Sequence, residues 1–188
     1  MSLTIPSLLK MSRETPVDFH FIKKLAGIGN KLRMVDHETG INQKTTLNKI
    51  FGKADCVAIL FHIIRNGKAT PVGHWCLLIK GNRSPIRFFD SLGLGLNKIY
   101  KLTGETPYLL QLLKKKKWEN SSQKLQTQGS HFKECGCFVG LRAKMNHLSN
   151  SQFAKFIKSA PGKTDNTAVM LALLTYLEYY HKKILTGK

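Results

Sequence analysis

The run Cys56–Ile64 (CVAILFHII) constrains the fold more than any other feature of the sequence. Apolar and β-branched residues follow one another here without the alternation of a half-exposed strand, which is typical of a strand buried on both faces. Such a strand needs neighbouring strands and a cover over each face of its sheet. The run therefore predicts a central strand in a layered protein.

Further strands are predicted after the turn at Asn66-Gly67. The segments with strand character are His74–Lys80 (HWCLLIK), Ile86–Asp90 (IRFFD) and the short, polar Ser122–Thr127. Residues 30–53 are basic, and we expect them to be irregular apart from a helical turn or two at Thr45–Phe51.

Helical spacing or capping signals cover most of the remaining chain. The predicted helices are Val17–Ala26, Pro107–Trp118, Cys135–Leu148, a helix that begins after a capping box at Ser149–Gln152, and a final helix from Asp165 through Ile184. Because the strands precede most of the helices, the order predicts an α+β fold.

Length and composition indicate one globular domain. The 188 residues divide into a polar arm, residues 1–16, and a single domain, residues 17–188. A hydrophobic content of 42% is normal for a folded protein, so the high charge does not indicate disorder. The longest apolar run, Ala168–Leu174, is too short to span a membrane.

The charge balance predicts a polyanionic partner. Thirty Lys and Arg against eleven Asp and Glu give a net charge of +19, for which nucleic acid is the simplest counterpart. The densest basic run is Lys114, Lys115, Lys116 and Lys117. A charge run on a helix is often only a solvated face. Since no base-reading motif is visible, we expect binding to phosphates without sequence preference.

The cysteines do not form a disulfide framework. Cys56, Cys76 and Cys137 lie in apolar runs, and no secretory signal precedes them, so we expect a reducing compartment. Cys135 differs because it falls between a loop and the start of a predicted helix, where the helix dipole favours a thiolate. Cys137, about 200° further around that helix, is assigned to the core.

Cys135 is predicted to be a catalytic nucleophile rather than a buried structural cysteine. Lys133 and Glu134 precede it and Gly136 follows, so the site is expected to be an exposed turn. Gly136 would leave the backbone open for a substrate carbonyl. The backbone amide of Cys135 would also face the oxyanion.

His74 and Asp90 are the predicted base and its orienting carboxylate. His74 begins one strand and Asp90 ends the next, and these positions meet in an antiparallel hairpin. Asp90 would accept a hydrogen bond from the imidazole and hold its tautomer. The alternative role for Asp90 is to cap a turn through Ser91, and His62 is interpreted as a structural histidine.

A second oxyanion donor is sought among the glutamines before Cys135. Gln128 is preferred over its rival Gln126 because Gly129 adjoins it. The residues thus predict a thiol protease with an oxyanion hole formed by Gln128 and the Cys135 amide.

A zinc site is the alternative explanation of the same segments. His74-x-Cys76 and Cys135-x-Cys137 offer four ligands, but ligand pairs in structural zinc sites are usually two to four residues apart, and Cys135 and Cys137 diverge on a helix. We therefore predict neither a metal site nor a required cofactor.

Together these motifs resemble the clan of adenovirus-type and Ulp1-type cysteine proteases. The motifs are His74-Trp75, Phe89-Asp90-Ser91, Gln128-Gly129 and Cys135-Gly136. The seven-residue step from Gln to Cys is similar to the adenovirus maturation protease, whereas Asp90-Ser91 is similar to the Ulp1 branch. The combination is similar to the maturation proteases of virophages and Polinton-type viruses.

The resemblance implies a mixed sheet packed on helices, with Cys135 at the start of a central helix. It also implies cleavage of viral capsid precursors after small, Gly-type residues. The enzyme would act as a monomer inside the virion or in the cytoplasmic virus factory, and it would not associate with a membrane. DNA would be a non-covalent activator. A disulfide-linked activating peptide is not expected, because no cysteine lies between Asp90 and Cys135.

Other functions are compatible with the same residues. The clan also includes deconjugases of ubiquitin-like modifiers and acyltransferases, and a basic virion protein could bind DNA with Cys135 incidental. Leu25–Gly29 resembles a cleavage site of adenovirus-type proteases, but a helix stop at Gly27 is the preferred interpretation.

Overall fold

The computed structural model describes residues 17–81, 84–126 and 134–159. Within these residues, helices cover both faces of a five-stranded sheet. The strands are β1 (Leu32–Asp36), β2 (Cys56–Arg65), β3 (Lys68–Ile79), β4 (Ile86–Phe89) and β5 (Trp118–Asn120). The helices are α1 (Phe19–Ala26), α2 (His37–Gly40), α3 (Leu47–Phe51), α4 (Leu96–Thr103), α5 (Tyr108–Leu113), α6 (Cys135–Lys144) and α7 (Asn150–Ser159). The predicted α+β class is confirmed.

The sheet is mixed, and its strands lie in the order of the sequence. β2, β3 and β4 are antiparallel neighbours, whereas β1 is parallel to β2 and β5 is parallel to β4. Each parallel pair requires a crossover, and these crossovers contain α2 with α3, and α4 with α5. The predicted arm, residues 1–16, and the predicted helix from Asp165 lie outside the described residues.

The central strand β2 is buried on both faces, as its sequence predicts. Cys56 and Ala58 belong to the core on one face of the sheet, while Val57 and Ile59 belong to the core on the other. All four are 0% exposed. The unbroken apolar run is therefore a consequence of two separate cores.

The two cores use different helices. The first, called here the α6 face, combines α1, α6 and α7 with the sheet residues Trp75, Leu77, Ile79 and Phe89. The second, called the α4 face, combines α3, α4 and α5 with the sheet residues Phe61, Cys76, Leu78 and Phe88. Alternate residues of β3 thus serve opposite cores.

α1 lies against α6 because two glycines of α6 permit a close approach. A Cβ atom at Gly140 would lie 2.6 Å from Leu25 Cδ2, and one at Gly136 would lie 2.1 Å from Val17 Cγ1. Both distances are shorter than carbon atoms tolerate. Any larger side chain at these positions would therefore push α1 away from α6.

α1 begins and ends with the local signals present in its sequence. The Asp18 side chain accepts a hydrogen bond from the Phe21 N–H at 2.8 Å, which caps the amino end. Gly27 has φ +64° and its N–H donates to the Lys23 carbonyl, which ends the helix. The preceding Leu25 is buried, so the helix-stop interpretation of Leu25–Gly29 agrees with the structure.

The prediction that residues 30–53 are irregular outside Thr45–Phe51 is wrong. β1 occupies Leu32–Asp36 and α2 follows it, while α3 agrees with the predicted helical turn. Only Leu32 and Val35 of β1 are buried. An edge strand with so little buried surface has no apolar alternation, and its pairing with β2 comes from tertiary contacts.

The predicted helix Pro107–Trp118 is too long. α5 ends at Leu113, and Trp118 begins β5, which pairs with β4. The strand predicted over Ser122–Thr127 is also wrong, because residues 122–126 form no strand and the strand lies earlier in the chain. Trp118 packs against the α4-face core, which favours a strand over a longer helix.

α6 ends at Lys144 rather than at the predicted Leu148. The guanidinium of the buried Arg142 donates to the carbonyl oxygens of Met145 at 2.7 Å and Leu148 at 2.8 Å. These hydrogen bonds hold residues 145–148 as a turn around Arg142, so the helix does not continue.

The predicted capping box before α7 is confirmed. The Ser149 N–H donates to Gln152 Oε1 at 2.8 Å, and the Gln152 N–H donates to Ser149 Oγ at 3.2 Å. This reciprocal pair uses two amide groups that a helix leaves without partners.

A polar network is buried on the α4 face. His37 binds the Glu105 carboxylate through Nδ1 and the Tyr100 hydroxyl through Nε2. Glu105 also accepts the His62 N–H, and the His62 ring binds Asp36 at 2.7 Å. These bonds join β1, α2 and β2 to α4 and the turn after it. The structural interpretation of His62 is consistent with this network.

Candidate active site

His74 and Asp90 form a buried pair at the open end of the β3–β4 hairpin. The His74 Nε2 and the Asp90 Oδ1 lie 2.7 Å apart, and their side chains are 6% and 0% exposed. β4 pairs with β3 from Arg87 to Phe89, so Asp90 is the next residue and lies beside the part of β3 that carries His74. The hydrogen bond predicted from the hairpin is present.

The Asp90 carboxylate is held in one orientation. Its Oδ1 accepts the Leu92 N–H at 2.9 Å and its Oδ2 accepts the Leu94 N–H at 2.7 Å, so the alternative turn-capping role is present as well. Burial alone would raise the pKa of Asp90, but the bond and charge of His74 and the two N–H groups lower it overall. Asp90 is therefore an ionised acceptor for the imidazole.

Cys135 is the first residue of α6, and its sulfur lies at the unpaired edge of β3. The Trp75 N–H donates to the Cys135 Sγ at 3.4 Å. This edge is open because β4 pairs with β3 only over Leu77–Ile79. The structure therefore brings Cys135, His74 and Asp90 together, with the thiol at a helix amino end.

The His74 imidazole is basic, and one of its nitrogens is left for another partner. Burial alone would lower the pKa of His74, but electrostatic interaction with Cys76 and contacts with the side chains of Asp90, Cys135 and Cys76 raise it well above 6.5. Nε2 is used by Asp90, while the buried Nδ1 makes no hydrogen bond of normal geometry with the described residues. This arrangement suits proton transfer with a thiol.

The expectation that Cys135 lies in an exposed turn is wrong. Its side chain is 0% exposed, in the same core as Val139 and Phe138. Val17 also fills the space beside Gly136, so this glycine serves helix packing and does not leave room for a substrate carbonyl. The close contact between α1 and α6 is the reason for both differences.

The other three cysteines are chemically distinct from a nucleophile. Burial raises the pKa of Cys56 to about 11 and the pKa values of Cys76 and Cys137 to about 12. Thiols with such pKa values are protonated at neutral pH and react slowly. Cys137 is 3% exposed in the α6-face core, which agrees with its predicted structural role.

The predicted oxyanion donor Gln128 lies outside the described residues, but its rival Gln126 is described. Gln126 is buried, and its Oε1 accepts the Ser91 hydroxyl at 2.7 Å. The Ser91 carbonyl in turn accepts the N–H groups of Leu125 and Gln126, each at 2.9 Å. These hydrogen bonds join residues 125–126 to the turn that follows Asp90.

The zinc ligands weighed from the sequence are not brought together as a set, because Cys137 lies in the core of the α6 face. A different group forms instead. A nitrogen of His74, the Cys76 sulfur and a carboxylate oxygen of Asp90 all lie within 4.8 Å of one another. The sequence analysis names Cys76 beside His74 as a possible ligand, since residues i and i+2 of a strand share a face, but it does not include Asp90 in the group.

The lysine run is exposed at the outer edge of the sheet. Lys114, Lys115, Lys116 and Lys117 are all exposed and connect α5 to the edge strand β5. The Lys117 carbonyl accepts the Ile86 N–H at 3.0 Å, which anchors this connection to β4. The four ammonium groups are therefore available to a polyanion.

The sequence of this chain is similar to that of a viral protein. No protein family model matches the sequence. Uncharacterized protein V9 of Sputnik virophage is 27% identical over 141 residues, which cover 69% of this chain and 77% of V9. The similarity supports a virophage-type origin. Among the described residues, no helix is long and apolar enough to cross a membrane.

Proposed function

We propose that this protein is a cysteine endopeptidase. The observation that carries the proposal is the connected chain from the Asp90 carboxylate through the His74 ring to the Cys135 thiol at the start of α6. In this assignment Cys135 is the nucleophile, His74 the general base and Asp90 the group that orients His74. Gln128 and the Cys135 amide stabilise the oxyanion.

The residues would act in the following order. His74 Nδ1 takes the proton of the Cys135 thiol, and the thiolate attacks the peptide carbonyl. The His74 imidazolium then protonates the leaving amine, and a thioester forms on Cys135. Water, deprotonated by His74, hydrolyses this thioester and restores the thiol. Asp90 keeps the imidazole in the required orientation throughout.

The proposed substrates are viral capsid precursors, which the enzyme cleaves after Gly-type residues during virion maturation. We expect the enzyme to act as a monomer in the virion or in the virus factory. Two observations support this choice: the resemblance of the motifs to adenovirus-type proteases, and the similarity to a virophage protein. Small residues would suit the site because Cys135 is buried and leaves little room beside it. Incubation with neighbouring capsid proteins, followed by mapping of new termini, tests the substrate class.

Selective alkylation tests the nucleophile before any substrate is known. With limiting iodoacetamide at pH 6.5, we expect Cys135 to react at least about tenfold faster than Cys56, Cys76 or Cys137, because it can pass its proton to His74 at a helix amino end, whereas burial raises the pKa values of the other three thiols and keeps them protonated. Peptide mass spectrometry assigns the sites. His74→Ala should remove the difference. Equal rates for all four thiols in the folded wild type would contradict the proposal.

We also propose that the enzyme associates with DNA. The support is the net charge of +19 and the exposed Lys114–Lys117 at the sheet edge. Lys117 binds Ile86 at the start of β4, whereas Asp90 follows the other end of that strand, so DNA would tether the enzyme without entering its site.

DNA binding should weaken steeply with salt and depend on the lysine run. Replacing all four lysines with Gln is expected to lower the slope of log K against log salt by up to about 3.6, since each phosphate contact contributes about 0.9. Fluorescence anisotropy with duplex DNA at several salt concentrations measures this slope. The matched control replaces the exposed Lys44, Lys53, Lys68 and Lys98 with Gln. Both variants then have the same net charge of 19 − 4 = 15. Equal slopes for both variants would exclude the run as the contact site.

A further inference from the structure

Two arginine side chains meet at the turn that follows α6, and both use uncharged hydrogen-bond acceptors. Arg87 of β4 and Arg142 of α6 each donate to the carbonyl oxygen of Leu148. Their other acceptors are also neutral oxygens, the carbonyls of Asn146 and Met145 and the side-chain amide of Asn150. Among the described residues, no carboxylate forms an ion pair with either arginine. The turn therefore holds two adjacent positive charges that these residues do not neutralise.

The two charges destabilise each other because one of them is buried. Arg142 is 0% exposed, and its burial, together with repulsion from Arg87, lowers the pKa of Arg142 to about 10. Glu119 lies beside Arg87 in the β4–β5 register, but its attraction is the smallest of the effects on this pKa. Repulsion between like charges is strong where the protein excludes water. An anion bound beside Arg87 would offset this repulsion, so the pair indicates a ligand.

Arg87 lines a cleft of about 400 Å³ at the end of the sheet where β3 ends and β4 begins. The other polar groups that line this cleft include Lys80, Ser84, Asn146 and His147. Lys80 and His147 are exposed, so a ligand can enter from solvent. Asp55 also lines the cleft, and its carboxylate lies 3.8 Å from the Lys31 ammonium group. The balance of charge around the cleft is therefore positive.

The donors at this cleft suit a phosphate group. The guanidinium of Arg87 gives two N–H groups to carbonyl oxygens, and its Nε–H has no hydrogen-bond partner among the described residues. A guanidinium held in this way keeps further donors, in a planar fork that matches phosphate oxygens. Lys80 adds a mobile point charge at the mouth of the cleft. Together with Arg142 behind them, these groups favour an anion with two charges.

We propose that this cleft binds a phosphate group, which Arg87 and Lys80 contact directly and Arg142 attracts from beneath. The phosphate is either a free anion or part of a DNA backbone. The second source is near, because the Lys117 carbonyl accepts the N–H of Ile86, the residue before Arg87. Phosphate binding does not depend on the proposed peptidase activity. Asp90 follows the opposite end of β4, so the phosphate would remain outside the candidate active site.

A ³¹P NMR titration of the full chain with inorganic phosphate, at constant ionic strength in chloride, tests the cleft. We expect one saturable site per chain. Lys80→Gln should weaken binding about fivefold, because it removes one exposed charge. Arg87→Lys should weaken binding at least about tenfold, because lysine keeps the charge but loses the fork. Lys98→Gln is the matched control: it removes an exposed lysine of α4 and leaves the same net charge as Lys80→Gln, 19 − 1 = 18.

A wild-type chain without saturable binding would overturn the site. Equal losses in Lys80→Gln and Lys98→Gln would overturn it too, because they would show an effect of net charge alone. If circular dichroism shows that Arg87→Lys does not fold, these two variants still decide, since both lysines are exposed. Duplex DNA then identifies the source. Release of phosphate by DNA assigns the cleft to the DNA backbone, whereas phosphate retained on DNA-bound protein assigns it to the free anion.

Discussion

Replacing Cys135 with alanine is expected to lower the rate of peptide bond cleavage at least about 10⁴-fold. Among the described residues, it is the only cysteine that both lies at a helix amino end and interacts with the His74 side chain. Without its sulfur no thioester forms, and the remaining groups supply only binding and oxyanion stabilisation. The measurement is the turnover of a capsid precursor, or of a Gly-containing peptide derived from it, under single-turnover conditions.

Two matched variants make this result specific. Cys137→Ala and Cys56→Ala each remove a thiol from the same core of the α6 face, and both should keep activity within a few fold of the wild type. Circular dichroism of Cys135→Ala should match the wild type, which shows that the variant is folded. Activity of Cys135→Ala within tenfold of the wild type would reject Cys135 as the nucleophile, and with it the proposed mechanism.

Asp90→Asn is expected to lower turnover by about 10³- to 10⁴-fold while the fold persists. The asparagine retains the shape of the side chain, but its amide cannot serve as an ionised acceptor for His74 Nε2. The imidazole then loses both its fixed tautomer and the charge that stabilises its protonated form. Asp55→Asn is the control, because Asp55 is half-exposed and pairs only with Lys31 across 3.8 Å among the described residues.

The same variant should move the pH dependence in a defined direction. The bond to Asp90 raises the pKa of His74, so the imidazolium needed for the ion pair persists well above pH 6.5 in the wild type. Loss of the ionised Asp90 carboxylate lowers the pKa of His74. The alkaline limb of the pH–rate profile should therefore shift to lower pH. An unchanged alkaline limb in Asp90→Asn would show that Asp90 does not act through His74.

The pair also contributes to stability within a window of pH. The folded pKa of Asp90 is lowered, so its contribution is present above pH 3.8 and is lost as the pH falls through the folded value. The folded pKa of His74 is raised, so its contribution is complete below pH 6.5 and is lost as the pH rises through the folded value. The pair therefore stabilises the fold most between these limits.

Much of the central sheet follows from local sequence. The β2 run is apolar because both of its faces lie in cores, and such a run has few alternatives to a central strand. The His74–Asp90 bond follows from the spacing of a hairpin, and the Ser149–Gln152 capping box needs only neighbouring backbone. α4 also has a readable signal, since Leu96, Ile99, Tyr100 and Thr103 recur at helical spacing, although it was not predicted.

The sequence by itself determined the two central strands, the order of the candidate catalytic residues and the chemistry that each can perform. The tertiary structure alone decided the edge strands β1 and β5, because their pairing comes from neighbouring strands and not from buried side chains of their own. It also decided that Cys135 is buried, since Val17 and α1 reach it only across the glycines of α6. The placement of Cys76 beside His74 and Asp90 depends likewise on how the hairpin ends. Such contacts join residues distant in the chain, and no local pattern specifies them.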